Sequence, residues 1–394
     1  MTPRILASWP HYEAEEIAAA QRAIQTGRVN YWTGSQGRQF EAELALSCQC
    51  NHAVVVANGA LALKLALQAA DIRHADEVII TPHTATESLQ SVLDLGATPV
   101  FADIDSRTEN LSRETLEAAL SSRTRAVIAF HHAGWPCDMD GIMEIAAEHD
   151  VTVIEDCSQA QGAQYKGRPA GSLGHVAVLS FCGDKITTTG GAGGAVVTND
   201  HDLWERAWSY KDHGKNSNSI SCRATAPGFR WLHDSLGTNW RLTEMQSAIG
   251  RIQLQKLQRW SERRSEIASQ FKETLQEFDC VDSANHLEGS HRAYYRVVCH
   301  VDNKKLHSDW NRDRIASELR TLGLPVSSGF DFNRGENAKN GIRSAFIDKP
   351  TPVADKLNKT RLAISLHPNL TANDIQHVCD SLRHVLTLAA SRSY

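Results

Sequence analysis

Short apolar runs and longer amphipathic stretches alternate through the first two thirds of the chain. Runs rich in Val, Ile and Ala, six to eight residues long, occupy positions 52–58, 77–82, 99–104, 126–133, 152–157, 177–182 and 194–199. Runs of this length, bounded by polar and turn-forming residues, predict strands. The early intervals between them have helical spacing. Leu61, Leu65 and Ala69 share one face, as do Leu116, Ala119 and Leu120, and then Ile142, Ile145 and Ala146. Strand–helix alternation predicts an α/β fold with a mainly parallel sheet covered on both faces.

The alternation breaks once. Thr187-Thr188-Thr189-Gly190-Gly191-Ala192-Gly193-Gly194 joins two strand-like runs with no helix between them, which predicts an antiparallel excursion. A long helix is expected from Thr243 to about Phe278. Thr243 and Gln246 fit a capping box, and Met245, Ile249, Ile252, Leu257 and Trp260 recur at helical spacing. The charged run Ser261-Glu262-Arg263-Arg264-Ser265-Glu266 reads as its solvated face. Near Val281 the texture changes to strand, helix and loop, with residues 327–349 loop-like around Gly329, Gly335 and Gly341. This divides the chain into a large domain, residues 1–250, and a smaller C-terminal domain, residues 251–394, entered by the long helix.

Composition narrows the function classes. The 394 residues carry 41 Lys+Arg against 46 Asp+Glu, a net charge of −5. That mild acidity argues against a nucleic-acid partner, which calls for a basic surplus. No apolar run approaches the roughly 18 residues of a membrane-spanning helix, so no membrane partner is expected. The N-terminus lacks the apolar core of a signal peptide. The nine cysteines are scattered and include no C-x-x-C, as expected of reduced thiols in the cytoplasm.

Candidate chemistry begins with the glycine run. A dinucleotide-binding loop must leave a strand and enter a helix. Here the glycines lead into the strand-like Gly194-Ala195-Val196-Val197-Thr198, and neither G-x-G-x-x-G nor a P-loop occurs. There are 18 histidines, but no H-E-x-x-H and no tight Cys/His set, so no metal is expected. In the doublet His131-His132, one histidine is expected either in a pocket wall or hydrogen-bonded in the core.

Another constellation is more specific. Glu155-Asp156 ends one predicted strand, Ser180-Phe181 ends the next, and Lys185 follows. Carboxyl ends of parallel strands are where α/β proteins place ligands. An acid, a hydroxyl and a lysine there suit pyridoxal 5'-phosphate (PLP). The lysine can form a Schiff base with the aldehyde. The aspartate can keep the pyridine nitrogen protonated. Ser180 and the helix N-terminus after Asn58-Gly59-Ala60 can hold the phosphate. Singly, the lysine reads as a surface charge, the aspartate as a helix cap and the glycine as a turn. Residue chemistry alone leaves both readings open.

At these residues the sequence resembles the DegT/DnrJ-type PLP-dependent sugar aminotransferases. The likeness spans nearly the whole chain. It is carried by Asn30-Tyr31-Trp32-Thr33-Gly34, Asn58-Gly59-Ala60-Leu61-Ala62-Leu63 and Gly96-Ala97-Thr98-Pro99-Val100-Phe101-Ala102-Asp103-Ile104-Asp105. Gly134-Trp135-Pro136-Cys137-Asp138-Met139-Asp140, Ile154-Glu155-Asp156-Cys157-Ser158-Gln159-Ala160 and Ser180-Phe181-Cys182-Gly183-Asp184-Lys185 follow. Gly237-Thr238-Asn239-Trp240-Arg241 and Leu366-His367-Pro368-Asn369-Leu370-Thr371 complete the series.

The resemblance implies the type I aminotransferase fold, with a mainly parallel seven-stranded sheet in the large domain. It implies that Lys185 binds PLP as a Schiff base and shuttles the proton, and that Asp156 pairs with the pyridine nitrogen. It places Gln159 against the cofactor ring, and Ser180 with the amides of Gly59 and Ala60 on the phosphate. Asn239 would reach the phosphate of a neighbouring subunit, making a homodimer with shared active sites. The implied substrates are a nucleotide-linked keto sugar and L-glutamate as amino donor, as in amino-sugar and polysaccharide biosynthesis.

The sequence departs from the pattern at Ala60, where Thr or Ser is usual, at Ala85, where relatives carry an aromatic residue, and at Ala192, where an acid is usual. A missing phosphate hydrogen bond at Ala60 is worth about 1.5–3 kcal/mol. The segment 329–334 also matches poorly. Two alternatives follow. One is a PLP-dependent sugar dehydratase or deoxygenase, although such relatives replace the lysine with histidine. The other is a non-catalytic paralogue that binds PLP or a sugar nucleotide.

Overall fold

The computed structural model describes residues 3–217, 233–283, 287, 289–328 and 349–391. The glycines of the expected loop, Gly329, Gly335 and Gly341, and the poorly matching segment 329–334 lie outside the described residues.

Two helices, α1 (Ala14–Gln25) and α2 (Gln36–Ser47), precede the main sheet. Its seven strands are β1 (His52–Val56), β2 (Glu77–Ile80), β3 (Thr98–Phe101), β4 (Thr124–Phe130), β5 (Thr152–Asp156), β6 (Val176–Ser180) and β7 (Gly194–Thr198). Each begins within two residues of its predicted position. They lie in the order β1-β7-β6-β5-β4-β2-β3. All the pairings from β6 to β3 are parallel, and β7 runs antiparallel to both β1 and β6, as the helix-free connection predicts. The strands are buried nearly throughout, which is why their Val/Ile runs are continuous rather than alternating. The connecting helices are α3 (Gly59–Ala69), α4 (Thr86–Leu93), α5 (Arg113–Ala119) and α6 (Met139–Glu148); α7 (His201–Lys211) follows β7. One core packs α3 and α7 against the sheet through Leu63, Leu67, Val178 and Trp208. Two more cover the opposite face.

The helix α8 (Glu244–Gln276) is 33 residues long, about 50 Å. Thr243 caps it by accepting the amide of Gln246. The capping box is incomplete, because Gln246 Oε1 accepts from the Thr243 hydroxyl at 2.8 Å rather than from the cap backbone N–H, while its Nε2 donates to the carbonyl of Ala192. The run 261–266 meets its expectation in part: Glu262 and Glu266 are exposed and Arg263 and Ser265 half-buried. Ser261 and Arg264 are buried, and Arg264 donates to the carbonyls of Tyr294 and Leu366. Charge pattern alone misassigned Arg264 because its acceptors lie on distant segments.

The second sheet is antiparallel, with β8 (Val281–Ser283), β9 (Arg296–Val301), β10 (Val326–Ser327) and β11 (Arg361–Ser365) in the order β8-β9-β11-β10. It is covered by α9 (Arg312–Thr321), α11 (Ala372–Ala389) and the end of α8; α10 (Pro352–Asn358) precedes β11. Ile267, Phe271 and Leu275 of α8 are buried in this core, each contributing about 1.5–3 kcal/mol. Two carboxylates of the large sheet's loops fasten the layers together. Asp103 accepts the amides of Val353 and Ala354 at the start of α10. Glu109 accepts from His300 and Arg361. No helix among the described residues is long and apolar enough to cross a membrane.

Candidate active site

Strand register brings the predicted residues together. Gly194 pairs with both Val56 and Ser180, so β1, β7 and β6 end side by side. Asp156, the last residue of β5, pairs with Val178 of β6, two residues before Ser180. The helix α3 starts beyond β1, where Asn58 Oδ1 accepts the Leu61 amide at 2.8 Å. The amides of Gly59 and Ala60, in its first turn, have no intrahelical acceptor. Gly59 is required by close approach. A Cβ there would stand 2.6 Å from Ser180 Oγ. Ser180 is held from behind by Gln161 Nε2, which donates to its carbonyl at 2.7 Å.

Asp156 is buried, and its Oδ1 accepts the Ser158 amide at 2.9 Å. Burial raises its pKa above the ordinary aspartate value. Gln159, also buried, accepts the Ala133 amide through Oε1, while its Nε2 has no partner. A buried amide nitrogen without an acceptor is costly and marks a place for one.

Lys185 is 12 % exposed, with Nζ 3.4 Å from the Asp184 carboxylate and 5.2 Å from the centre of the Tyr295 ring. Burial favours the neutral amine, but Tyr295, Asp184 and Asp156 together raise its pKa above the ordinary lysine value. Tyr295 in turn donates to Asp184. The glycine run is tied through its backbone: Ala192 O accepts from Thr189 Oγ1 and from Gln246 Nε2. No acid is needed at position 192 for that connection to hold. Ala85 sits at the N-terminus of α4 and offers no ring.

Of the histidine doublet, His131 takes the hydrogen-bonded core role. His131 Nδ1 accepts the Cys137 amide, so Nε2 carries the proton and donates to Glu155 at 3.1 Å. Glu155 also accepts the amides of Gly171, Leu173 and Gly174. His132 is buried with both ring nitrogens unpartnered, near His83, and burial with the Arg361 charge pushes its pKa down to about 3. Two groups, His83–Glu109–His132 and His131–Glu155–Cys157, each bring their ligand atoms within 4.8 Å of one another. In each the carboxylate is already engaged by cationic or N–H donors.

The whole chain, and not only this site, is similar to known proteins. The profile of the DegT/DnrJ/EryC1/StrS aminotransferase family matches residues 10–383. The chain belongs to that family. It is an α/β aminotransferase with the fold the sequence implied. A curated relative, the GDP-perosamine synthase of Escherichia coli O157:H7, is 37 % identical over 95 % of this chain and 97 % of its own. An aminotransferase from Psychrobacter cryohalolentis is 42 % identical, with a TM-score of 0.93 over 97 % of this chain and 99 % of that one. The DesV protein of S. venezuelae, solved in complex with a ketimine intermediate, is 31 % identical, with a TM-score of 0.83 over 95 % and 94 %.

Asp184, Tyr295, Gln161 and the cluster of His83, Glu109 and Arg361 were not foreseen. Asp184 carried a signal, since an acid beside a candidate lysine can set its charge state. Tyr295 and Arg361 carried none, because only the tertiary fold brings them to the strand ends. Asn239 is exposed on a segment joined to the end of β1 through the Val56–Arg241 bridge.

Proposed function

We propose that this aminotransferase uses PLP to carry an amino group, with L-glutamate as donor, to a keto carbon of a nucleotide-linked sugar. The single observation that carries the proposal is Lys185, a sequestered amine within the influence of the buried Asp156. The residues present fit PLP. Gln159 Nε2 is an orphaned donor, and the Gly59 backbone lies open where a Cβ would strike Ser180. Lys185 would hold the aldehyde covalently, Asp156 the ring nitrogen, Gln159 the ring, and Ser180 with the amides of Gly59 and Ala60 the phosphate. When bound, PLP supplies an electron sink that stabilises negative charge at the amino acid's α-carbon.

The chain's own residues do the rest. Asp156 holds a proton at the ring nitrogen as an ionised carboxylate, despite the burial that favours its neutral form. Lys185 Nζ, once released, takes the α-proton as a general base and returns it on the other side of the reaction. Asp184 stabilises the ammonium form of Lys185 between those steps. The first turn of α3 presents N–H groups and a positive dipole end to an anion. Exposed Asn239 would complete the phosphate site of a second subunit, which makes the active enzyme a homodimer.

The substrate class follows from relatives that act on nucleotide-linked sugars. The test is to load the protein with PLP and add L-glutamate. Loss of the visible band of the lysine-bound cofactor with formation of 2-oxoglutarate supports the proposal. Lys185→Ala is expected to abolish turnover, and substantial turnover by that variant would remove the lysine from the mechanism.

A further inference from the structure

The N-terminal segment crosses the loop that carries Lys185. Trp9 Nε1 donates to the carbonyl of Lys185 at 2.9 Å, across 176 positions of sequence. The amide of Lys185 donates to the Cys182 carbonyl at 3.0 Å. Both peptide planes flanking the lysine Cα are therefore held, one locally and one by Trp9. Farther along the strap, Pro10 covers Gly183, and Tyr12 Oη lies 3.4 Å from Thr188 Oγ1.

The indole itself has little freedom. Its ring stands edge-on to Trp260 at 5.3 Å and stacks on His367 at 5.7 Å. The Arg264 guanidinium lies 5.6 Å from its centroid. Arg264 is in turn pinned to the carbonyls of Tyr294 and Leu366, next to the Tyr295 that grips Asp184. The donor aimed at the Lys185 carbonyl is thus fixed by the long helix and by the loop after β11.

We propose that Trp9 is a positioning residue for Lys185. Its N–H fixes the peptide plane after the lysine, and so aims the amine at the end of a flexible four-carbon stem. Reactive groups displaced by about 1 Å lose much of the advantage of orientation, so a bond that fixes the lysine's peptide plane bears on its reactivity. The inference rests on the role proposed for Lys185.

The test is Trp9→Phe, which keeps an aromatic ring and removes the donor. Trp260→Phe is the control, since it perturbs the packing around Trp9 without touching the hydrogen bond. Each purified protein is stripped of cofactor, checked for fold by circular dichroism, and titrated with PLP. The readouts are the equilibrium constant for the lysine-bound band and the pH midpoint of that band. Trp9→Phe is expected to weaken capture about tenfold, the equivalent of one buried N–H···O bond at about 1.4 kcal/mol. It is also expected to move the pH midpoint, because Nζ no longer keeps its place beside Asp184. Trp260→Phe keeps a ring against Trp9 and leaves its N–H in place, so its loss should be clearly smaller than that of Trp9→Phe. If Trp9→Phe unfolds, 3-benzothienylalanine at position 9, an isostere with sulfur for the N–H, makes the same measurement with packing intact. Capture and pH midpoint unchanged without the N–H would overturn the inference, as would an equal loss in Trp260→Phe. Absence of the band in the unmodified protein would instead overturn the role of Lys185, and this inference with it.

Discussion

Replacing Asp184 with Asn removes one negative charge beside the lysine and keeps the shape of the side chain. The carboxylate lies 3.4 Å from Lys185 Nζ. At that separation two unit charges interact by about 5 kcal/mol at an effective dielectric of about 20, and by about 1.2 kcal/mol in bulk water. Asp184 is 53 % exposed, so screening places the effect toward the lower limit, at about 1–2 kcal/mol. That energy corresponds to about a tenfold change in the equilibrium between the ammonium and the amine. The pKa of Lys185 moves downward, because losing an anionic neighbour destabilises the ammonium form. Below its pKa the neutral fraction of Lys185 should then rise about tenfold, and capture of PLP by the cofactor-free protein should accelerate by the same factor. Stopped-flow absorbance across the alkaline range measures both the rate and its pH midpoint. The Asn oxygen can still accept from Tyr295, so gross rearrangement is not expected. A pH profile superimposable on that of the unmodified protein would refute the view that Asp184 sets the charge state of Lys185.

Three further outcomes are expected. Glu155→Gln turns one acceptor into a donor against the surrounding N–H groups of Gly171, Leu173, Gly174 and His131, so it should destabilise the protein by about 2–4 kcal/mol. Hydrogen exchange at residues 171–174 should rise before that of the rest of the sheet. Burial opposes the charge of Glu109, yet His300 and Arg361 hold its carboxyl well below the ordinary range. Its stabilisation is therefore complete above the ordinary carboxylate value of about 4.3 and is lost as pH falls through the depressed native value. Glu109→Gln should lower Tm near neutral pH and flatten its fall in acid, which calorimetry against pH can follow. Mixing inactive Lys185→Ala and Asn239→Ala subunits should recover up to about a quarter of full activity, since each hybrid dimer would hold one intact site. No recovery in confirmed hybrids would count against sharing.

The large sheet was legible because its strands are buried on both faces and spell their positions as unbroken apolar runs. Lys185, Asp156 and Ser180 were legible because each closes or follows such a run, where α/β chains collect their ligands. Arg264 was not, because a guanidinium on a charged helical stretch looks solvated until two distant carbonyls reach it. The same is true of Tyr295 and Arg361, whose side chains gain meaning only across the seam between the sheets. Gln246 was half legible. Its backbone N–H received the predicted cap, but its side-chain oxygen took the Thr243 hydroxyl instead of the cap N–H, and its Nε2 reached the glycine run.

The helix α8 has a consequence for the way the chain can come apart. Leu254 and Leu257 pack against the core of the first sheet, whereas Ile267, Ala268 and Phe271 belong to the core of the second. The handover occupies about three helical turns with no loop in between. Cutting the chain after Gln276 would leave the C-terminal piece without part of its own interior. Cutting before Glu244 would add to that piece a stretch of helix whose apolar side has lost its cover. The seam between the two halves therefore runs along one continuous helix, and neither half can be excised without baring apolar surface on it.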